Sequence, residues 1–481
     1  MQSGYLRHIF FLITINLIVK PFYVLFIDRG VQNQLGTTAY GLFFALFNLS
    51  YLLYILSDLG IYQYHTRQVA QWTTHQPLQT ARIAGAKLWL TGFYLISLLL
   101  LALLLGYQQV IILALLLGVY QAVVSWVFFV RSLLNGNGLY RLDAWTSVID
   151  RSSLILLIGL ILLIPAWQNH FTLIRFVSLL ILSMILALCV GLFFLRRNGI
   201  TLKIVVGKAG DIWAVIRETM PFALTVILMT LYTRIDGIML ERLAPGGAYQ
   251  AGVYAASYRL LDAANMIAYL VATLLLPMYS RQLEARQDVY PLYRDAFKLL
   301  WVISGITTMA AVFFAEPIMH LLYHEADDQW AQVFTWLMPC FISGGIIYVA
   351  GTLITASGDL KAMNWAAGIS IGINIVLNAI LIPEYQAWGA VIATLITQSL
   401  MAVALIYITQ QRYRLPQSKL WYGAIISLMI WMAMAWAMQK LPVSWPLRFT
   451  LFCLTAIIFS GLIGWLPIKS WWEEIRSRRS A

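Results

Sequence analysis

Residues 88–130 decide the fold class, and they read LWLTGFYLISLLLLALLLGYQQVIILALLLGVYQAVVSWVFFV. These 43 residues between Lys87 and Arg131 include no Asp, Glu, Lys or Arg. A membrane span needs about 20 apolar residues to cross roughly 30 Å of hydrocarbon, so the stretch is too long for one crossing. The sequence GYQQ at 106–109 is typical of a turn. We therefore predict two membrane-spanning helices joined by a short loop.

The whole chain has the same apolar character. Of its 481 residues, 61% are hydrophobic and 11% are charged, and the mean hydropathy is +0.78. Soluble domains carry about 25% charged residues, so the composition excludes a soluble protein. A net charge of +12 would suggest nucleic acid as the partner of a soluble protein. Here we attribute the charge to membrane topology and expect no nucleic-acid partner.

Counting uncharged stretches along the chain predicts fourteen membrane spans and an all-α, polytopic fold. The predicted limits are 7–29, 38–64, 82–105, 109–132, 143–165, 171–195, 212–243, 250–276, 293–315, 329–357, 362–383, 387–411, 418–438 and 447–467. The longest inner connection follows six spans, so we expect it to separate two halves. The predicted divisions are 1–200 with six spans, 201–411 with six, and 412–481 with two further spans and a basic tail.

A faint internal repeat relates the two halves. The segments AYGLFF at 39–44 and AGVYAA at 251–256 each open a span that ends near a cation, Arg67 or Arg281. Internal parallel repeats are a known plan of transporters. The repeat therefore favours a transport protein with two related halves.

The distribution of cations predicts the orientation of the chain. With an inside N-terminus, the inner segments hold 23 Lys and Arg residues and the outer loops hold five. Lys and Arg in short loops stay on the cytoplasmic side. We therefore expect a multi-pass protein of the cytoplasmic (inner) membrane with both termini in the cytoplasm.

Three cations are predicted to lie at one depth inside the membrane. Lys20, Arg234 and Arg259 are each nine residues from the outer end of their span, which is about 13 Å at 1.5 Å per residue. A central charge costs at least about 2.5–3.5 kcal/mol on insertion scales unless it meets a partner or water. Either these cations line a hydrated cavity, or they pair locally, as Arg259 can do with Asp262 at i+3.

Other charges within the predicted spans are candidates for ion coupling or gating. Arg151 follows Asp150 near the inner third of span five, and cavity lining and local pairing are both open for it. The acids are Asp58, Asp150, Glu218, Asp236 and Asp262. They are placed to carry coupling H⁺ or Na⁺, or to balance charge. Asp58, near the inner end of span two, is also placed for a capping or gating contact with Arg67.

Several kinds of chemistry are excluded by the motifs. Cys189, Cys340 and Cys453 lie far apart in apolar runs, so we expect neither a disulfide framework nor a CxxC metal site. The chain has no G-x-x-x-x-G-K-[ST] motif, so ATP is not its direct fuel. The His and acidic residues at 320–328 are interpreted as a solvated loop. We expect no metal, cofactor or catalytic residue.

Segments from both halves resemble the Wzx-type polysaccharide flippases, a branch of the multidrug/oligosaccharidyl-lipid/polysaccharide exporter superfamily. The similar segments are LGTTAYGLFFALFNLSYLLYILSDLGIYQYHTRQVA (35–70), MPFALTVILMTLYTRIDGIMLERL (220–243), AGVYAASYRLLDAANM (251–266) and LLLPMYSRQLEA (274–285). The likeness runs over almost the whole chain, although its motifs are diffuse.

The resemblance implies two six-helix lobes around a central cavity, with two extra C-terminal helices. It also implies alternating access, with an undecaprenyl-diphosphate-linked oligosaccharide moved from the inner to the outer leaflet, and polysaccharide polymerase machinery as a partner. The predicted midplane cations suit this cargo, because a diphosphate prefers Arg or Lys clamps, here Lys20, Arg234 and Arg259.

Three other functions make different demands on the sequence: a lipid II flippase, a drug exporter and a membrane enzyme. A lipid II flippase also has fourteen spans and differs only in the glycan of its cargo. Drug-extruding members of the superfamily usually have twelve spans and an acidic first helix, where this chain has Lys20. A membrane enzyme such as a polysaccharide polymerase would need a large outer loop, whereas outer loops here are predicted to have at most about 15 residues.

Cysteine labelling tests the predicted topology. After Cys189, Cys340 and Cys453 are replaced by serine, Lys203→Cys is expected to resist a membrane-impermeant thiol reagent in intact cells, because its loop is predicted to be cytoplasmic. Lys440→Cys, in a predicted outer loop, is the positive control. Reaction of Lys203→Cys from outside would reverse the orientation.

Overall fold

The structure, a computed structural model, describes residues 19, 21–71, 77–207, 209–358, 360–415 and 418–466. Every regular element in this part of the chain is a helix, which confirms the predicted all-α class. The chain divides into two compact units, Met1–Gly252 and Val253–Ala481. The lobes 1–200 and 201–411 stay a prediction, because compactness alone does not tell which helices move together.

The first unit begins, in the described residues, with a π-helical turn at Tyr23–Asp28. The α-helices that follow are α1 Arg29–Leu35, α2 Thr37–Leu53, α3 Ile55–Asp58, α4 Ile61–Gln71, α5 Pro77–Leu104, α6 Ile111–Gly136, α7 Tyr140–Leu163, α8 Pro165–Gln168, α9 Leu173–Arg197 and α10 Ala209–Leu243. Helix α11, Gly247–Glu284, begins in the first unit and continues into the second.

The second unit contains the remaining helices. They are α12 Tyr290–Phe313, α13 Ala315–Leu322, α14 Asp328–Leu337, α15 Cys340–Ser357, α16 Lys361–Tyr413, α17 Ser418–Gln439 and α18 Trp445–Leu462. Helix α14 starts where the Asp327 carboxylate accepts hydrogen bonds from the backbone N–H groups of Gln329 and Trp330, at 2.9 and 3.2 Å. Such caps satisfy donors that the first helical turn leaves open.

Eleven helices of the described part are long and apolar enough to cross a membrane. One of them, α16, has 53 residues and covers two predicted spans, 362–383 and 387–411. Its backbone departs from helical geometry at Gln386, where φ is 54°, three residues after Pro383. The predicted first span, 7–29, lies mostly outside the described residues. The structure confirms a polytopic, all-α membrane protein.

The openings of the two predicted repeats meet through glycines. A Cβ atom on Gly41 would lie 1.8 Å from the carbonyl oxygen of Ala248 and 2.5 Å from the Gly252 nitrogen. A Cβ atom on Gly252 would lie 2.2 Å from the Thr37 carbonyl oxygen. Only glycine lets the backbones of α2 and α11 approach so closely. The side chain of Gln32 reinforces the crossing by donating to the Gly252 carbonyl at 3.0 Å.

The second predicted span is interrupted on its way through the first unit. Helix α3 ends at Asp58, and Leu59 and Gly60 follow with φ of 42° and 81° before α4 begins. An interruption frees backbone groups that a membrane interior cannot hydrate, so protein must surround them. Lys87 of α5 satisfies one of these backbone groups, because its ammonium donates to the Ser57 carbonyl at 3.3 Å.

The same ammonium forms a buried ion pair. Lys87 Nζ lies 2.8 Å from Asp58 Oδ1 and 2.6 Å from Ser125 Oγ of α6, and its side chain is fully buried. With the Ser57 bond, all three N–H donors of Lys87 are engaged. The other carboxylate oxygen of Asp58 accepts from the Tyr62 backbone N–H at 3.3 Å. Asp58 therefore joins α3 to α5 and caps α4.

This geometry changes one expectation. The sequence suggested Arg67 as a contact of Asp58. The structure instead pairs Asp58 with Lys87, while Arg67 is exposed. The partners are 29 residues apart, so no local spacing rule predicts their contact.

The last two helices dock on α12 in the second unit. Trp431 of α17 is buried, and a Cβ atom on Gly305 of α12 would lie 2.4 Å from its ring. The indole N–H of Trp301 donates to Ser427 Oγ at 3.1 Å. The C-terminal pair of helices is therefore part of the second unit's core.

We expect Lys87→Met to destabilise the protein strongly, because it leaves the Asp58 carboxylate buried without its cation. Removing one partner of a buried pair costs about 3–5 kcal/mol, whereas replacing both partners by apolar residues costs much less. Thermal unfolding of the purified protein should therefore show a low midpoint for Lys87→Met and a partly restored one for Lys87→Met/Asp58→Leu. Arg82→Met, at an exposed position of the same helix, is the control. Equal midpoints for Lys87→Met and Arg82→Met would contradict the importance of the pair.

Candidate functional site

The predicted site residues fall on four described helices, apart from Lys20, which lies outside the described residues. Asp58 is on α3, and Asp150 and Arg151 are on α7. Helix α10 carries Glu218, Arg234 and Asp236, and α11 carries Arg259 and Asp262.

Arg234 lies on the face of an aromatic ring. Its guanidinium carbon is 4.9 Å from the ring centroid of Tyr51 in α2. The residue is half-buried, and its Nε and Nη1 atoms are shielded from solvent. A cation over an aromatic face is stabilised by about 0.5–2 kcal/mol, with the larger values where water is excluded. The arginine is therefore held in place through its flat face.

The ring under Arg234 belongs to an aromatic strip. Tyr51 stacks on Tyr54 with a centroid distance of 5.8 Å and on Phe47 with 6.4 Å. Spacings of three and four residues place these rings on one face of the helical path. Tyr120 of α6 extends the strip, 6.0 Å from Phe47. We name Phe47, Tyr51, Tyr54 and Tyr120 the aromatic strip.

Arg151 is held in a similar way. Its guanidinium carbon lies 4.6 Å from the ring centroid of Tyr23, and its Nε is 3.4 Å from the Asp150 carboxylate. Tyr120 and Asp28 are close enough to Arg151 to interact with it electrostatically. Both predicted cavity arginines of the first unit are therefore associated with aromatic rings, and Tyr120 links the surroundings of Arg151 to the aromatic strip.

Two further acids of the first unit are buried. Asp28 accepts a hydrogen bond from the Tyr40 hydroxyl at 2.7 Å and is 4% exposed. Asp28 is not among the candidates that the sequence suggested, because it lies at the end of the predicted span 7–29. Asp236 is 3% exposed, two residues after Arg234 on α10. Residues two apart point in different directions on a helix, so Asp236 does not repeat the environment of Arg234.

Helix α10 is held to the first unit at both ends by tyrosine–glutamate hydrogen bonds. Near its start, Glu218 accepts from the Tyr64 hydroxyl of α4. Near its end, Glu241 accepts from the Tyr107 hydroxyl at 2.6 Å. Arg242 completes the second contact, with its Nε 2.8 Å from Glu241 and its guanidinium carbon 3.4 Å from the Tyr107 ring centroid.

The two contacts differ in burial. Tyr107 is 1% exposed. Burial, and then its bond to Glu241, raise the pKa of Tyr107 well above its usual value, so its hydroxyl stays a proton donor. Glu218, in contrast, is exposed. The end of α10 is therefore the better protected contact, and the Glu218 contact is the one that solvent reaches.

In the second unit, Arg259 and Asp262 lie three residues apart on α11, and both are half-buried. Arg234 and Arg259 belong to different compact units. The clustering of Lys20, Arg234 and Arg259 in one cavity therefore stays a prediction.

A buried polar cluster in the second unit escaped the sequence analysis. Asn378 donates to Asn374 Oδ1 at 3.0 Å, and Asn374 donates to Thr397 Oγ1 at 3.4 Å. Thr394 lies 3.2 Å from the Tyr254 hydroxyl. These side chains are uncharged, so a search for charges inside spans passes over them. Repeated Asn at i and i+4 in an apolar helix was the available signal.

Comparison with solved structures shows a shared fold. The chain matches a lipid II flippase, MurJ, in an inward closed conformation with a TM-score of 0.71 and 14% identity, over 96% of this chain and 98% of that one. It matches an inward-facing multidrug resistance MATE family transporter with a TM-score of 0.62 and 14% identity, over 82% and 94% of the two chains.

A third similar structure is a transporter of the same superfamily from Pyrococcus furiosus, with a TM-score of 0.57 and 13% identity, over 85% and 95% of the two chains. A comparison with curated protein sequences gives no match.

Comparison with family models assigns the sequence itself. The MatE model matches residues 221–380. A second model, described as polysaccharide biosynthesis protein, matches residues 5–283. These matches confirm the superfamily suggested by the quoted segments. Because the second model covers more than half of the chain, the protein belongs to the polysaccharide biosynthesis protein family of the superfamily that includes the MurJ and MATE transporters.

Proposed function

We propose that the protein flips an undecaprenyl-diphosphate-linked oligosaccharide from the inner to the outer leaflet of the cytoplasmic membrane by alternating access. The family match to polysaccharide biosynthesis proteins and the fold similarity to a lipid II flippase both support transport of a lipid-linked sugar. The observation that carries the proposal is the placement of Arg234 of α10 on the ring of Tyr51.

A stacked arginine suits a diphosphate headgroup. The guanidinium is planar and always charged, and its geometry matches the paired oxygens of a phosphate. Arg151 also lies on a ring, that of Tyr23, and in addition contacts Asp150. We assign Arg234, Arg151, Arg259 and Lys20 to the headgroup site.

The sign of these charges argues against export of cationic drugs, because like charges repel across a site of low dielectric constant. In the similar Pyrococcus furiosus transporter, the reverse polarity of the binding pocket suggests a different function. The same reasoning, applied to the cations of this chain, favours an anionic cargo.

A lipid II flippase is the second candidate function. Its support is the similarity to MurJ over 96% of this chain, and its cargo differs only in the glycan. Proteoliposomes that contain either lipid II or the source cell's own lipid-linked oligosaccharide would decide between the two, since only the true cargo would become accessible to a reagent on the far side.

We infer that transport is driven by an ion gradient, because the chain carries acids inside its spans and no nucleotide-binding motif. Asp58, Asp150, Glu218, Asp236 and Asp262 are the candidates for carrying H⁺ or Na⁺. Na⁺ is a hard cation that prefers oxygen ligands, and the Asn374–Asn378–Thr397 cluster supplies neutral oxygens.

Charge reversal tests the headgroup site. Arg234→Glu and Lys20→Glu are expected to abolish export at normal protein levels, because a carboxylate repels the diphosphate. Arg234→Lys should retain part of the activity, since the charge remains without the bidentate geometry. The measurement is surface polysaccharide together with lipid-linked oligosaccharide retained in the inner leaflet.

Arg197→Glu, at an exposed position of α9, is the matched control and should export normally. Tyr51→Phe should keep activity because its ring remains, and Tyr51→Leu should reduce it. Normal export by well-expressed Arg234→Glu and Lys20→Glu would refute the headgroup assignment.

Ion coupling is tested in proteoliposomes that contain the purified protein and its lipid-linked cargo. We expect the rate of flipping to fall when ionophores remove the driving gradient, with separate arms for the pH gradient, the Na⁺ gradient and the membrane potential. A rate that persists unchanged without any of them would identify a facilitator and remove the coupling proposal.

A further inference from the structure

A polar cavity lies in the second unit, at the ends of helices that face the outer side in the predicted orientation. Its volume is about 490 Å³, within the usual range of about 300–1,000 Å³ for ligand pockets. It is formed where α12 ends, where α13 and α14 follow, and where α17 and α18 meet. Its polar and aromatic lining includes Glu316, His320, Gln332, Gln439, Trp445 and Arg448.

The walls of this cavity are tied together by side chains of the last two helices. Gln439 donates to the Phe313 carbonyl at 2.5 Å, and Arg448 Nε donates to the Val443 carbonyl at 2.8 Å. Phe314 packs edge-on against Phe449 with a centroid distance of 5.6 Å. The cavity therefore has a defined shape, and α17 and α18 supply part of its wall.

The lining chemistry selects the class of ligand. The lining has one carboxylate, Glu316, and one guanidinium, Arg448, so with His320 neutral its formal charges sum to zero, which favours a neutral ligand. Amides such as Gln332 present a donor and an acceptor side by side, which matches a sugar hydroxyl that is itself both. The indole of Trp445 offers an apolar face with a polar N–H at its edge, suited to the flat C–H face of a pyranose ring.

We propose that this cavity binds the oligosaccharide part of the cargo on the outer side, as an exit subsite separate from the diphosphate clamp. The proposal rests on the proposed function and on the predicted orientation. Sugar bound on the outer side lowers the chance that a released cargo returns. The proposal also gives α17 and α18, the two helices that follow the twelve predicted spans of the lobes, a function as part of the cavity wall.

Binding to the purified full-length protein tests the subsite. The probe is the free oligosaccharide that mild acid releases from the lipid-linked pool of the source cell, followed by saturation-transfer NMR and titration. Gln332→Ala and Trp445→Ala are expected to weaken binding about fivefold or more, as loss of a hydrogen bond or an aromatic contact does. Trp436→Ala, at an exposed tryptophan of α17 outside the cavity, should bind like the wild type.

Gln332 is exposed, so its alanine variant is expected to fold, and an unchanged unfolding midpoint will verify this. The intact lipid-linked form serves as a second probe. A subsite for the glycan predicts that Gln332→Ala weakens binding of both forms, whereas a lipid-headgroup site predicts competition by glycerophosphoglycerol and no effect of the free sugar. The latter result would overturn the proposal.

The outcomes separate this subsite from the proposed function. If the free oligosaccharide fails to bind, or binds Gln332→Ala and Trp445→Ala like the wild type, while proteoliposomes still flip the cargo, the subsite is wrong and the flippase stands. If the oligosaccharide binds in the cavity and no cargo is flipped, the cavity is a sugar-binding site, and the flippase proposal fails together with the role of the cavity as an exit subsite.

Discussion

The buried ion pair between Lys87 and Asp58 is the interaction on which the first unit depends. A span that breaks inside the membrane exposes backbone groups, and each unsatisfied group costs several kcal/mol in hydrocarbon. Here the ammonium of Lys87 donates three hydrogen bonds at the interruption after α3, to Asp58, Ser57 and Ser125. Asp58 in turn caps α4 by accepting from the Tyr62 backbone N–H. The pair therefore permits the second span to end in a separate helix, α4, which then reaches α10 through its own side chains.

Two arginines of the first unit, Arg234 and Arg151, lie on the faces of tyrosine rings. A cation over the face of an aromatic ring is attracted by the ring's electron distribution. Arg234 lies on Tyr51, and Arg151 combines the ring of Tyr23 with a 3.4 Å contact to Asp150. Contacts with tyrosine therefore help to stabilise these cations inside their helices.

Helix α10 connects the charged residues to the frame of the first unit. Two hydrogen bonds fix it near its start and its end. The exposed one joins Glu218 to Tyr64, and the buried one joins Glu241 to Tyr107. The second unit has a different polar design, with neutral amides and hydroxyls inside α16 and the outer cavity built with the help of α17 and α18. The second unit thus combines charged residues, such as Glu316 and Arg448 in the cavity, with uncharged hydrogen-bonding groups inside α16.

The sequence by itself determined the all-α membrane class, most helix positions and the presence of cations such as Arg234 in apolar stretches, because hydropathy and charge are local properties. The partners of those charges were decided only by the tertiary structure. Nothing local to Asp58 points to Lys87, and nothing near Arg234 in the chain points to Tyr51, since these contacts join separate helices. Asn374 and Asn378, at i and i+4, are a signal in the sequence, but only packing shows that Asn374 meets Thr397. Local spacing sets what a helix carries, and packing between helices decides what each group meets.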